Sequence, residues 1–139
     1  MKLKPIAVVR NGIRGQTDDW DVVESRLVFE PEYVPGLEGL ERFRHIWVIF
    51  GFHKKRGWVA KVHPMHDPSR PLVGVFATRS PTRPNKVGLT KVELVGVRGR
   101  TVTVKGLDAF DGSPVWDVKP FEDDIEDVYG WRRPRRKKT

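Results

Sequence analysis

Residues 91–107, KVELVGVRGRTVTVKGL, read as two strands joined by a tight turn. Val102 and Val104 alternate with Thr101, Thr103 and Lys105, the period of a strand with one buried face. Gly99, between Arg98 and Arg100, supplies the positive φ that a short hairpin connection needs. Strand-like segments recur outward from this hairpin. Residues 45–52, HIWVIFGF, form the most apolar run and read as a strand buried on both faces. Residues 4–10, 20–29, 58–62, 73–77 and 115–118 add further strand candidates, with Val23, Leu27 and Phe29 sharing one parity. Helical spacing occurs in one short segment, residues 36–44, where Leu37, Leu40 and Phe43 recur every three positions. Seven or eight strands with almost no helix between them exclude alternating βαβ units. The expected fold is mainly β, a mostly antiparallel barrel or sandwich with little helix, with the barrel favoured because closure removes exposed edges.

The chain has 139 residues, a length that suits one domain over residues 1–131 followed by a tail over 132–139. Hydrophobic residues at 38% and charged residues at 32% fit a folded domain rather than a disordered one. No apolar run approaches the ~20 residues of a membrane helix, and no signal-peptide core follows Met1 and Lys2, so no membrane partner and a cytoplasmic location are expected. Without cysteine, disulfides, thiolate metal sites and cysteine nucleophiles are excluded. The net charge of +8 is concentrated at the end: residues 132–139, RRPRRKKT, hold six basic side chains, leaving 20 basic against 18 acidic elsewhere. Such a tail, preceded by Tyr129 and Trp131, suits a nucleic-acid backbone with aromatics able to stack on bases.

Between the apolar residues 73–77 and the apolar return at Val87 and Leu89 lies a loop, TRSPTRPN, with two arginines and two prolines. Pro81 and Pro84 stiffen it, and guanidiniums on a stiff backbone suit phosphate or carboxylate recognition. Asp108 and Asp111 flank a turn before Gly112 and Pro114 and serve either as turn formers or as a carboxylate facing a ligand. His63, His66 and Asp67 lack the spacing of a zinc motif, so no metal is expected. Serine-hydrolase, dinucleotide and phosphate-loop patterns are absent. These residues alone describe a basic β-barrel with a stiff arginine loop and a polynucleotide partner.

Three separated motifs give a closer identification. ATRSPTRPNKVGLT at residues 77–90, GLDAFDGSPV at 106–115 and DVKPF at 117–121 resemble the TsaA-like family. Its characterised members are S-adenosylmethionine-dependent tRNA methyltransferases acting on threonylcarbamoyl-adenosine beside the anticodon. The resemblance implies a single-sheet, antiparallel-rich β-barrel that binds the methyl donor without a Rossmann domain, usually as a homodimer. Carried over by position, it implies methyl-donor contacts at His53, Lys54, Arg79, Leu89, Asp108, Ala109, Phe110 and Asp111. Arg83, Asn85, Lys86 and Lys119 would shape the site or meet the substrate, and Asp111 and His53 are the candidates for a general base. A non-catalytic RNA-binding barrel, or a methyltransferase of this fold with another substrate, is the alternative.

Three departures from the family pattern stand out. The Pro-Arg-Gln segment that binds the methyl donor in bacterial-type members is represented here only by Arg14 and Gln16. The pair Lys86-Val87 replaces the usual Pro-Ile after Asn85. The basic tail stands where larger members carry a C-terminal extension. Deleting residues 132–139 should therefore flatten the salt dependence of RNA binding by up to about four log-log units, at ~0.7 per phosphate contact on single strands. Filter-binding titrations across a salt series measure this, and an unchanged slope would make the tail a bystander.

Overall fold

The structure, a computed structural model, describes residues 1–52 and 57–130. Eight strands follow in chain order: β1 (Ala7–Arg10), β2 (Glu24–Phe29), β3 (His45–Gly51), β4 (Lys61–Val62), β5 (Val73–Gly74), β6 (Val87–Arg98), β7 (Thr101–Lys105) and β8 (Pro114–Pro120). Six of them close into a barrel of order β1-β2-β7-β6-β3-β8, every pair antiparallel, while β4 and β5 form a separate two-stranded sheet. The central hairpin turns at Gly99 with φ of 59°, as its sequence requires.

The barrel interior follows from the period-2 pattern. Val9, Leu27, Ile46, Val48, Val102, Val104 and Val115 are fully buried and pack as one cluster with Ala7, Phe29, Phe50 and Val92. Burial along β3 alternates: Ile46, Val48 and Phe50 point inward, whereas His45, Trp47 and Ile49 are only partly covered. The expectation of burial on both faces is thus corrected. A single closed sheet has one core, and no second layer covers its outside.

The two ends of the barrel differ. At the end where β2 finishes and β3 begins, Pro31–Leu37 and Leu40–Arg42 form 3-10 turns that add Leu37, Leu40 and Phe43 to the core. No α-helix forms there, because Pro35 lacks an N–H and Gly39 adopts φ of 89°. A helix that periodicity did not reveal, α1 (Glu122–Tyr129), packs on the same end through Ile125 and Val128 and sets Tyr129 edge-on to Phe43. Asp124 of α1 accepts the His45 backbone N–H at 2.6 Å and so ties the helix to β3. The sequence did carry its signals: three acidic residues in the first turn and Gly130 in a left-handed C-cap.

The opposite end stays open. It collects the 11–23 connection, the 78–86 loop and the 108–113 turn, together with the last residues of β3 and the first of β6. Two expected strands shrink here. Residues 58–62 are extended only at Lys61–Val62, and residues 73–77 bend into a 3-10 turn at Val75–Ala77 after two strand residues.

Gly88 of β6 lies opposite Phe50 of β3, and the Phe50 ring fills the space above it. A Cβ at Gly88 would sit 2.5 Å from Phe50 Cζ. Phe50 is 1% exposed and packs edge-on against Phe52 at 5.3 Å, so admitting the Cβ would push the ring out of that packing. Gly88→Ala should therefore destabilise the domain by about 1–3 kcal/mol, the usual cost of overpacking, as read from urea midpoints. A midpoint equal to that of wild type would show that the ring can move.

Candidate functional site

The 78–86 loop is held by its own polar groups. Thr78 donates its hydroxyl to the Val75 carbonyl at 2.7 Å and accepts the Ser80 N–H at 3.2 Å, while the Ser80 and Thr82 hydroxyls meet at 2.8 Å. Arg83 folds inward and donates to the carbonyls of Thr78 and Ser80 at 2.7 and 3.2 Å, with its guanidinium 5.8 Å from the Phe76 ring centre. Lys86 likewise donates to the carbonyls of Gly57 and Arg83. Both cations are therefore occupied in holding the loop. Arg79 is different: it is exposed and makes no hydrogen bond or ion pair with any described residue.

A second fixture ties the 11–23 connection to the 108–113 turn. Asp111 Oδ1 accepts the backbone N–H groups of Asn11 and Gly12 at 2.9 and 3.1 Å, and its Oδ2 lies 3.6 Å from Arg10 Nη1. Asn11 returns the link by donating Nδ2 to the Ser25 hydroxyl at 3.0 Å and to the Ala109 carbonyl at 2.9 Å. The N–H bonds from Asn11 and Gly12, helped by the positive charges of Arg10 and Arg14, hold the Asp111 carboxyl below its ordinary range.

Between these fixtures lies a cavity of 690 Å³. Phe50, Phe52 and Gly88 line it together with Val87, Leu89 and Thr90, the first residues of β6. Arg79 and Arg83 border it from the arginine loop, and Asp108, Ala109, Phe110 and Ser113 from the 108–113 turn. Gln16 and Trp20 border it from the 11–23 connection, with Trp20 edge-on to Phe110 at 5.8 Å. Asp108 Oδ1 accepts the Thr90 hydroxyl at 2.5 Å, which orients the carboxylate. One wall thus offers a guanidinium, another a carboxylate, and the floor is aromatic and aliphatic. That set suits a zwitterionic ligand with a flat ring. The volume falls within the roughly 300–1,000 Å³ of small-molecule pockets.

The structure brings together most of the expected residues. Arg79, Arg83, Leu89, Asp108, Ala109 and Phe110 share this cavity. Asp111 does not line it, because its carboxylate is turned to the Asn11 and Gly12 amides. Asn85, Lys86 and Lys119 also lie off the lining, and Lys119 pairs with Asp117 at 3.0 Å. His53, Lys54, Trp131 and the basic tail fall outside the described residues. Sequence reading missed Trp20, Phe50, Phe52, His66, Thr90 and Ser113. Phe50 and Phe52 read only as core, although the glycine opposite Phe50 was a signal of close packing. Among the described residues no group of three or more His, Asp or Glu side chains is placed to hold a metal ion.

A closed barrel with a cavity of both charges at one rim defines a small-molecule-binding barrel in which loops, rather than a Rossmann turn, supply the contacts. Comparison with known proteins gives the family. Residues 8–127 match the model of the tRNA-methyltransferase O N-terminal domain, and the chain belongs to that family. An Archaeoglobus fulgidus protein named "S-adenosyl-L-methionine-binding protein" is 40% identical over 135 residues, covering 92% of this chain and 94% of its own. The mouse tRNA (adenine(37)-N6)-methyltransferase is 42% identical over 106 residues, covering 75% of this chain but 24% of its own. A solved structure, "Crystal structure of TrmO", superposes with a TM-score of 0.70 at 29% identity, over 96% of this chain and 62% of that one. The chain therefore spans less than two-thirds of that solved relative.

The Asp111 fixture has a pH signature. Its carboxyl is more acidic in the folded state than in the unfolded chain, so it stabilises the fold at neutral pH, and this contribution is lost as pH falls below about 5. Asp111→Asn should lower the urea midpoint near neutral pH and flatten the acid limb of the stability curve relative to wild type. Parallel curves for the two proteins would remove Asp111 from this role.

Proposed function

We propose that this chain is an S-adenosylmethionine-dependent tRNA methyltransferase that methylates the amine nitrogen of threonylcarbamoyl-adenosine next to the anticodon. Family membership over residues 8–127 is the observation that carries this reading, and the charge pattern of the cavity supports it. The methyl donor has a carboxylate, an ammonium, a sulfonium and an adenine. Arg79, with no protein partner among the described residues, suits the carboxylate. Asp108 suits the ammonium or the ribose hydroxyls, with Thr90 fixing its orientation. Leu89 and Phe110 offer apolar faces to the adenine. His53 and Lys54 remain proposed contacts from the resemblance.

S-adenosylmethionine supplies the methyl group: its S–CH3 bond breaks, an N–CH3 bond forms, and the accepting nitrogen loses a proton. The work of the protein is alignment, and positioning can supply roughly 7–11 kcal/mol without a covalent intermediate. Asp111 is poorly placed as the base, being occupied by two backbone N–H groups, so His53 is the stronger of the two candidates. Arg83, Asn85 and Lys86 are assigned to shaping the arginine loop, and Lys119 to the outer surface. We further propose tRNA as partner, a homodimer as working form, and a cytoplasmic location following from the tRNA substrate. The exposed Trp58 (55%) and Phe76 (75%) support self-association. No described helix is long and apolar enough to cross a membrane.

Incubation of tRNA with the protein and isotopically labelled methyl donor, followed by mass spectrometry of the nucleosides, should give a methylated threonylcarbamoyl-adenosine. Calorimetry should show S-adenosylhomocysteine binding that weakens by about tenfold or more in Arg79→Ala, the loss of a charged hydrogen bond. No binding and no labelled nucleoside would sink the enzyme reading in favour of a non-catalytic barrel.

A further inference from the structure

A second cavity, also 690 Å³, lies behind the arginine loop, between it and the β4–β5 sheet. The two cavities share a wall. His66, Thr78, Arg79 and Pro81 border both. The second cavity is lined by apolar side chains, among them Val59 and Leu72, which are 49% and 56% exposed. Lys61 and His63 are the other basic groups on its lining, and no Asp or Glu belongs to it. The first cavity, by contrast, includes the Asp108 carboxylate. The backbone is also strained here: Met65 on the second lining and His66 on the shared wall both have φ of 57°, a left-handed conformation unfavourable to non-glycine residues.

We infer that this second cavity receives the accepting nucleoside of the RNA, with its base against the apolar lining and its phosphates toward Lys61. The inference rests on the methyltransferase reading above. A site for a nucleotide needs an apolar surface for the base and a cationic edge for the phosphate, and this lining has both, with no carboxylate among its own residues. It must also adjoin the methyl-donor cavity, because in-line transfer brings the reacting atoms to about 3–3.5 Å before the S–CH3 bond breaks and the N–CH3 bond forms. The four residues that border both cavities put them side by side. The positive-φ pair at residues 65 and 66 sets His66 on the partition, where it is a positioning residue for the incoming base.

Two measurements test this. An anticodon stem–loop carrying the 8-azido derivative of threonylcarbamoyl-adenosine at the accepting position is photo-crosslinked to the full chain without methyl donor, and the modified peptide is sequenced. Attachment within residues 59–82 is expected; attachment confined to other parts of the barrel overturns the inference. Leu72→Glu, which places a carboxylate on the cavity lining, should raise KM for tRNA by about tenfold while leaving S-adenosylhomocysteine affinity within about twofold. An unchanged KM, including the case where sedimentation shows only loss of self-association, also overturns it. Where KM and assembly change together, the crosslink position decides. Failure of wild type to bind S-adenosylhomocysteine would instead remove the enzyme reading, and the donor-free crosslink separates the two failures.

Discussion

The pairing of β1 with β8 is the contact on which the rest of the molecule depends. β1 has four residues, yet it closes the sheet through Ala7 opposite Val115 and Val8 opposite Pro114. Backbone bonds from Ile6 to Val115 and from Val9 to Ser113, both at 2.9 Å, extend the seam, and Gly112 donates to Val9 at 2.7 Å. Each such bond adds only about 0.5–1.5 kcal/mol net, but together they remove two edges that would otherwise template misassembly. They also fix the distance between the 11–23 connection and the 108–113 turn. Those two segments meet through Trp20 and Phe110 and together form one side of the cavity, so closure of the barrel and construction of the site are one event.

Within the arginine loop, two chemically identical side chains do opposite things. Arg83 satisfies carbonyls that a proline-rich segment has no N–H groups to meet, and Lys86 does the same three residues later. Arg79 has no such duty toward any described residue and lies at the cavity wall. The prolines and Arg83 can therefore be understood together: they make rigid the backbone that carries Arg79. A guanidinium on a flexible loop would give up more entropy on binding an anion than one whose backbone is already fixed.

The barrel was legible because its evidence was local. Alternation at Val102 and Val104, the turn at Gly99 and the shortage of helix all follow from period and turn chemistry. The cavity was only partly legible. Arg79 and Asp108 stood out because charged residues in a motif invite a functional reading, whereas Phe50 and Trp20 looked like ordinary core and turn residues. What makes them part of a site is their place in a closed topology, and no local pattern encodes that. Asp111 shows the limit from the other side: two aspartates flank one short turn, and it is the hydrogen bonds from Asn11 and Gly12 that distinguish the Asp111 carboxylate from that of Asp108, which lines the cavity. The helical spacing at residues 37, 40 and 43 reported inward-facing residues correctly but not the helix type, which Pro35 and Gly39 decided.

Charge distribution completes the picture. Outside residues 132–139 the chain is nearly balanced, with 20 basic and 18 acidic side chains, so the barrel itself is not a strong polyanion trap. Its first cavity carries both signs, while the second carries cations alone. On the proposed reading, with a zwitterionic methyl donor and a polyanionic RNA as ligands, that difference would sort the two, since an acidic wall penalises phosphate and a basic wall penalises a sulfonium. A run of six basic residues at 132–139 would then add affinity for an RNA backbone that is salt-sensitive and indifferent to sequence. Selection among nucleotides would fall to the shape of a cavity held by a closed barrel and a stiffened arginine loop.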